Sequence, residues 1–220
     1  MIKRTEWGAK PLTAYSTRID ATYRTGIAIH HSVTSEGKSQ NEVEAILRMI
    51  DNLHRSKGYG GIGYNLAVDF AGRVYEARGV NILGAHVSNA NARNYGIVYI
   101  GDGRERITDA AVEAIQGLVK KLQVNSKKKL KIYGHQELAP TACPGPKIQK
   151  LVANGKFDAP YDPPRQYVTA KPGDTYRSIA RRQLGIAAGV NPIKVTKEAK
   201  RIRALNDDKP ITTGMKVRVK

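Results

Sequence analysis

The chain has 220 residues, 40% of them apolar, and a formal charge of +18 from 37 Lys and Arg against 19 Asp and Glu. That length accommodates one medium domain and a small one. A single cysteine excludes a disulfide-stapled scaffold, no stretch approaches the roughly 20 apolar residues that span a bilayer, and the basic balance calls for a polyanionic partner or surface.

The opening Met1-Ile2-Lys3-Arg4-Thr5-Glu6-Trp7-Gly8 has no apolar run after its basic residues, so it does not read as a signal peptide. Residues 1–25 read as an irregular lead-in, with Trp7 packed on the domain after it. Gly26-Ile27-Ala28-Ile29-His30-His31 is a short β-branched strand. Alternation places His30 and His31 on opposite faces, so at most one of them can serve a given metal ion from a regular strand.

Ser39-Gln40-Asn41-Glu42 has the form of a capping box. The helix after it carries Val43, Ile46, Leu47, Ile50, Leu53 and His54 at steps of three and four, which places His54 on an apolar face. A glycine-rich run leads into a strand at Tyr64–Val68. Asp69–Arg73 is a hairpin connection and Val74-Tyr75-Glu76 the return strand. Gly96–Gly101 is a near-continuous apolar strand suited to the middle of a sheet. Thr108 caps a helix with Val112, Ile115, Val119 and Leu122 on one face. Leu130–Gly134 is a strand that delivers His135 at its end, and a short helix comes next, near Lys147–Val152. This alternation predicts an α/β fold with a mixed central β-sheet flanked by helices.

Residues 154–166 contain three prolines and read as a semi-rigid linker. The predicted division is therefore a domain at 1–153, a linker at 154–166 and a second domain at 167–220. The last part is the more densely basic, with 14 Lys and Arg against 5 Asp and Glu over residues 161–220. Its predicted order is βααβ, with strands at Tyr167–Ala170 and near Met215–Val219 and helices at Tyr176–Gly185 and Thr196–Leu205. No zinc-finger spacing and no Gly-aromatic RNA-binding signature is present, so no specific nucleic-acid partner is expected.

The chemistry centres on His135-Gln136-Glu137-Leu138-Ala139-Pro140-Thr141-Ala142-Cys143-Pro144. A soft thiolate and imidazoles are zinc ligands, and a catalytic zinc has three protein ligands and one open position. His30, His135 and Cys143 would form such a set. The spacing of His135 and Cys143 is no standard ligand motif, and a buried free cysteine beside surface histidines fits the same pattern. Glu137 could orient His135 or cap the loop.

The N-terminal unit resembles the type-2 N-acetylmuramoyl-L-alanine amidases, the family shared by amidase-type phage lysozymes and peptidoglycan recognition proteins. The resemblance covers residues 4–152 and rests on Arg4-Thr5-Glu6-Trp7-Gly8-Ala9, Ile27–Ser32, Gly63-Tyr64-Asn65-Leu66, Gly84-Ala85-His86, Asn94-Tyr95-Gly96-Ile97, Gly134–Glu137 and Thr141-Ala142-Cys143-Pro144. It implies a zinc ion on His30, His135 and Cys143, with Tyr64 and Thr141 as catalytic residues. His86 and Asn94 match positions that shape the substrate groove. The implied reaction is hydrolysis of the amide between N-acetylmuramic acid and L-alanine of peptidoglycan, with a non-catalytic peptidoglycan-binding or regulatory protein as the alternative.

The C-terminal unit resembles a LysM domain, a βααβ module that binds N-acetylglucosamine-containing glycans. The resemblance rests on Tyr167-Val168, Lys171–Tyr176, Ile179-Ala180, Leu184-Gly185, Leu205-Asn206 and Ile211–Val217. The chain departs from that pattern in a longer stretch between Gly185 and Asn206 and in a basic closing strand. Its basic surface would also suit anionic wall polymers. Together these features imply a monomeric phage endolysin, made in the host cytoplasm without a signal peptide and acting on the bacterial cell wall after release.

Overall fold

Gly26–His31 forms strand β1, buried along its whole length, as a β-branched segment between two parallel neighbours must be. The chain then forms helix α1 (Gln40–Ser56), β2 (Leu66–Val68), β3 (Val74–Glu76), β4 (Asn94–Tyr99), α2 (Asp109–Ser126), β5 (Lys131–Gly134) and α3 (Pro146–Ala153). This is a computed structural model describing residues 1–13, 16–161, 165–188 and 190–220. It divides into the units Met1–Tyr161 and Asp162–Lys220.

Among the described residues of the first unit, the strands form one five-stranded sheet in the order β3-β2-β4-β1-β5. β1 runs parallel to β4 and β5, and β2 parallel to β4, while β2 and β3 are antiparallel. The sheet is therefore mixed, as its sequence predicts, and β4 holds the middle position. Ile27 and Ile29 of β1 face a core shared with Ile97, Tyr99 and the α2 residues Ile115, Val119 and Leu122. Val98 of β4 faces the other way, into a core with Val43, Leu47 and Ile50 of α1 and with Trp7. His30 is in register with Val98, so it emerges on the α1 side. His31 goes to the opposite side.

The helix ends of the first unit match the sequence, with one difference. Thr108 caps α2 through the Ala111 N–H, and Ser39 caps α1 through the Glu42 N–H. The Glu42 carboxylate, however, accepts from the N–H of Lys38 rather than that of Ser39, at 2.8 Å, so only half of the expected capping box forms. The lead-in is also more ordered than expected. The Ile2 N–H donates to the Val74 carbonyl and the Glu76 N–H to the Ile2 carbonyl, both at 2.8 Å. Trp7 is fully buried, and its indole N–H donates to the Glu76 carbonyl at 2.8 Å.

The first part of the predicted linker packs on the first unit. Phe157 is fully buried in the α2-side core, and the Gln116 and Gln123 side chains of α2 donate to the carbonyls of Lys156 and Ala159. A positive φ of 66° at Gly155 turns the chain back toward α2. Asp162, Pro163 and Pro164 of that linker lie outside the described residues.

The second unit consists of β6 (Tyr167–Thr169), α4 (Tyr176–Leu184), α5 (Pro192–Ala204) and β7 (Lys216–Arg218), with β6 and β7 antiparallel. Thr175 and Ser178 cap α4 reciprocally. α5 starts four residues before the predicted Thr196, because Asn191 accepts from the Lys194 N–H and Pro192 takes the first helical position. Ile179, Ala180, Val195, Ile202 and Val217 close a separate small core. No helix among the described residues is long and apolar enough to cross a membrane.

Candidate active site

Parallel strands β1 and β5 deliver His30 and His135 at the same end of the sheet. His135 opens a 3-10 turn directly after β5. The loop that carries Cys143 folds back on that turn through the Gln136 N–H, which donates to the Cys143 carbonyl at 2.8 Å. A β-carbon on Gly134 would lie 1.8 Å from Oε1 of Gln149, at the end of a flexible side chain, and 3.1 Å from Cδ of Pro144 in this loop, so the glycine keeps the approach uncrowded. Glu137 does not face the cluster. Its carboxylate accepts from the Gly134 N–H at 2.7 Å and from the Gln149 amide at 3.0 Å, so it secures the turn.

His30, His135 and Cys143 come together with their candidate ligand atoms all within 4.8 Å of one another. The His30 and His135 ring centroids are 4.5 Å apart, and Nδ1 of His30 is 3.7 Å from Sγ of Cys143. Burial pushes the His30 imidazole well below its ordinary pKa, reinforced by His86 and His135. Burial pushes the Cys143 thiol up to about 11, opposed by the His31 N–H directed at Sγ. Two neutral imidazoles and a thiol thus converge where a divalent cation would supply the positive charge that a thiolate requires. The donor set fits zinc. His31 stays out of it, with Nδ1 accepting from the Gly103 N–H at 3.0 Å.

Tyr64 stands beside the cluster, its ring 5.1 Å from that of His30. Burial raises the phenol far above its ordinary pKa, with Cys143 adding to the effect, so it stays a hydroxyl donor. Thr141 is exposed. Its hydroxyl accepts from the Cys143 N–H at 3.2 Å, which leaves its own proton free to donate.

A cleft of about 380 Å³ adjoins Tyr64 and is lined by His54, Lys57, Tyr59, His86 and Asn91 among others. His54, which its helical position assigns to the core, is half-buried at this cleft. Its Nδ1 accepts from the Gly63 N–H at 2.9 Å, so Nε2 carries the proton. Its place beside the glycine-rich turn at Gly58–Gly63 was the available sequence signal.

The two groove candidates are placed differently. Asn94 lies in register with Gly26, at the end of β1 away from the cluster. It is 4% exposed, and its amide donates to the Ala90 carbonyl, so it holds a turn. Nδ1 of His86 is 3.0 Å from Nε2 of His30, and Nε2 of His86 is buried. The loop that carries His86 is anchored by Arg24. Its fully buried guanidinium donates to the carbonyls of Ile82, Asn91 and Asn94.

The profile of the family Amidase_2, N-acetylmuramoyl-L-alanine amidase, matches residues 21–146. The chain belongs to this family. Peptidoglycan-recognition protein SC2 of Drosophila melanogaster is 33% identical over 154 residues, which cover 67% of this chain and 82% of that protein. Among solved structures, the complex of peptidoglycan recognition proteins LCa and LCx with tracheal cytotoxin aligns with a TM-score of 0.65 and 29% identity, covering 69% of this chain and 95% of that one. The N-acetylmuramoyl-L-alanine amidase LysC of Clostridium intestinale shares the fold, with a TM-score of 0.54 and 22% identity over 70% of this chain and 95% of that one.

These relatives correct one expectation. Peptidoglycan-recognition proteins of Drosophila simulans and Drosophila melanogaster are not phage proteins, and this overturns the placement of the amidase-family chain in a bacterial host's cytoplasm. The family match ends at residue 146, before the second unit.

Proposed function

We propose that the first unit is a zinc-dependent N-acetylmuramoyl-L-alanine amidase, with His30, His135 and Cys143 holding the metal. The convergence of these ligand atoms within 4.8 Å carries the reading. Bound there, zinc would supply Lewis acidity and a nucleophilic water at neutral pH. The Tyr64 hydroxyl and the Thr141 hydroxyl are the proton donors that would meet the negative charge growing on the scissile carbonyl oxygen. Thr141 carries no charge, so its contribution is a hydrogen bond. The cleft beside Tyr64, with the His54 Nε2–H and Lys57 on its walls, would hold the stem peptide.

The second unit fits a LysM-like wall-binding module by its βααβ order. Its excess of Lys and Arg would add attraction to anionic wall polymers. The proposed activity does not depend on a phage endolysin role, which the insect relatives do not support.

The test is release of stem peptides from purified peptidoglycan sacculi, with and without a chelator, and then with zinc added back. New N-terminal alanine, lost with chelator and restored by zinc, is the expected result. Binding without release would establish the second reading, a peptidoglycan-binding protein without turnover, which is favoured by the names of the curated relatives.

A further inference from the structure

We infer that His86 is the positioning residue for His30: it accepts a hydrogen bond from Nε2 of His30 and so fixes the tautomer that turns Nδ1 toward the metal position. The inference rests on the proposed zinc site for its purpose, and on geometry for its substance. Nδ1 of His86 lies 3.0 Å from Nε2 of His30. The two rings meet edge to face, with an interplanar angle of 83° and centroids 5.0 Å apart. On its other side, His30 presents Nδ1 to Sγ of Cys143 at 3.7 Å. A neutral imidazole has one N–H and one lone pair. If Nδ1 is the ligand atom, the proton of His30 sits on Nε2 and its acceptor is His86.

The chain has cleared a slot for this ring. A β-carbon on Gly84 would lie 2.4 Å from Cδ2 of His86, and one on Gly96 would lie 2.5 Å from the same atom. Both glycines have ordinary backbone conformations, since neither is among the positive-φ glycines, so clearance rather than backbone freedom explains them. Nε2 of His86 is buried and makes no hydrogen bond among the described residues. With its proton on Nε2, His86 offers only the Nδ1 lone pair to His30. Asn91 secures the loop at this point, accepting from the N–H groups of His86 and Val87 at 2.8 and 2.9 Å. Arg24 holds the same loop from beneath. A metal-bound histidine whose other nitrogen is tied to a fixed acceptor is held in one ring orientation. Here that acceptor is a second histidine rather than a carboxylate or a backbone carbonyl.

The experiment has two arms on the full chain. In zinc-free wild-type protein labelled with ¹⁵N, the histidine ring spectrum should show His30 protonated on Nε2 and bare on Nδ1. A proton on Nδ1 of His30 overturns the inference, whatever the protein does with zinc. Zinc affinity is then measured by chelator competition for wild type, His86→Leu and His86→Asn. Leucine removes the acceptor and should weaken zinc by about 10–100-fold. Asparagine places an oxygen near the Nδ1 position and should recover most of that loss. A folded leucine variant with unchanged zinc affinity overturns the inference, as does equal weakening in both variants. If the leucine variant does not fold, the wild-type spectrum and the asparagine variant decide. Wild-type protein that takes up no zinc defeats the amidase reading instead, and the spectrum still tests the hydrogen bond.

Discussion

Nδ1 of His30 and Sγ of Cys143 lie 3.7 Å apart although 113 positions of sequence separate them. One belongs to an inner strand and the other to a loop closed on the edge strand. Replacing Cys143 with serine substitutes a poor zinc ligand for a soft one. The expected result is loss of zinc on dialysis and a fall in amide cleavage of at least about 100-fold, since metal assistance is worth several kcal/mol. Binding to sacculi should persist. Metal analysis after dialysis, together with peptide release, checks this. Zinc retained with near-normal cleavage would remove Cys143 from the ligand set.

Tyr64 can be tested with a single atom. Tyr64→Phe keeps the ring that stands 5.1 Å from His30 and removes only the hydroxyl. A lost donor to a developing oxyanion costs about 10²–10³ in turnover. Zinc content and melting temperature should stay close to wild type. A phenylalanine variant with full turnover would leave Thr141 as the only hydroxyl donor in the scheme.

Trp7 separates packing from chemistry. Its ring is fully buried and its N–H is committed to the Glu76 carbonyl, so its role is structural. Trp7→Phe leaves that carbonyl without its indole donor and opens a gap, at a cost of about 1–3 kcal/mol. The denaturation midpoint should fall while turnover per folded molecule does not change. A selective loss of turnover would show that Trp7 acts on the site as well as on the core.

The second unit has its own pH dependence. The Asp174 carboxylate is held well below the usual range, first by the Arg182 guanidinium, then by the Lys171 N–H and the Ser178 hydroxyl. Its folded pKa lies below the unfolded value of about 3.9, so the ionised group contributes stability that is full above that value. The contribution is lost as the pH falls from there through the folded pKa. Arg182 is 38% exposed, which keeps the contribution near 1 kcal/mol. Asp174→Asn should therefore destabilise α4 by about that amount at pH 7 and by less at pH 2, where the pH approaches the folded pKa. Hydrogen exchange of the α4 amides in the full chain at the two pH values reads this directly. Equal destabilisation at both would show that the charge is not responsible.

Strand periodicity and ligand chemistry made much of the first unit legible. The alternation in β1 already separates His30 from His31, and the apolar run around Gly96–Ile100 already marks a central strand. Those signals are local, and local physics sets them. What the sequence does not disclose depends on the fold bringing distant segments together. Gly84 and Gly96 look like ordinary turn and strand glycines until His86 is seen between them. Asn94 sits in a motif with the site residues, yet parallel pairing carries it to the other end of β1. His54 keeps to the apolar spacing of α1, but the helix ends there and exposes the ring to the cleft. Phe157 lies in a proline-bearing stretch that reads as linker, and only the α2 face shows where it goes. The start of α5 was readable, since Asn191-Pro192 is a cap with a first-turn proline after it.

The backbone of Ile2 lies along the outer side of β3, bonded to Val74 and Glu76. β3 is the last strand on that side of the sheet, and an uncovered last strand offers its free N–H and C=O groups to any passing chain. The first residues therefore act as a guard against sticking. Removing residues 1–7 would strip that cover and the Trp7 anchor together, and the first symptom should be self-association of the folded protein rather than a change in how it handles its substrate.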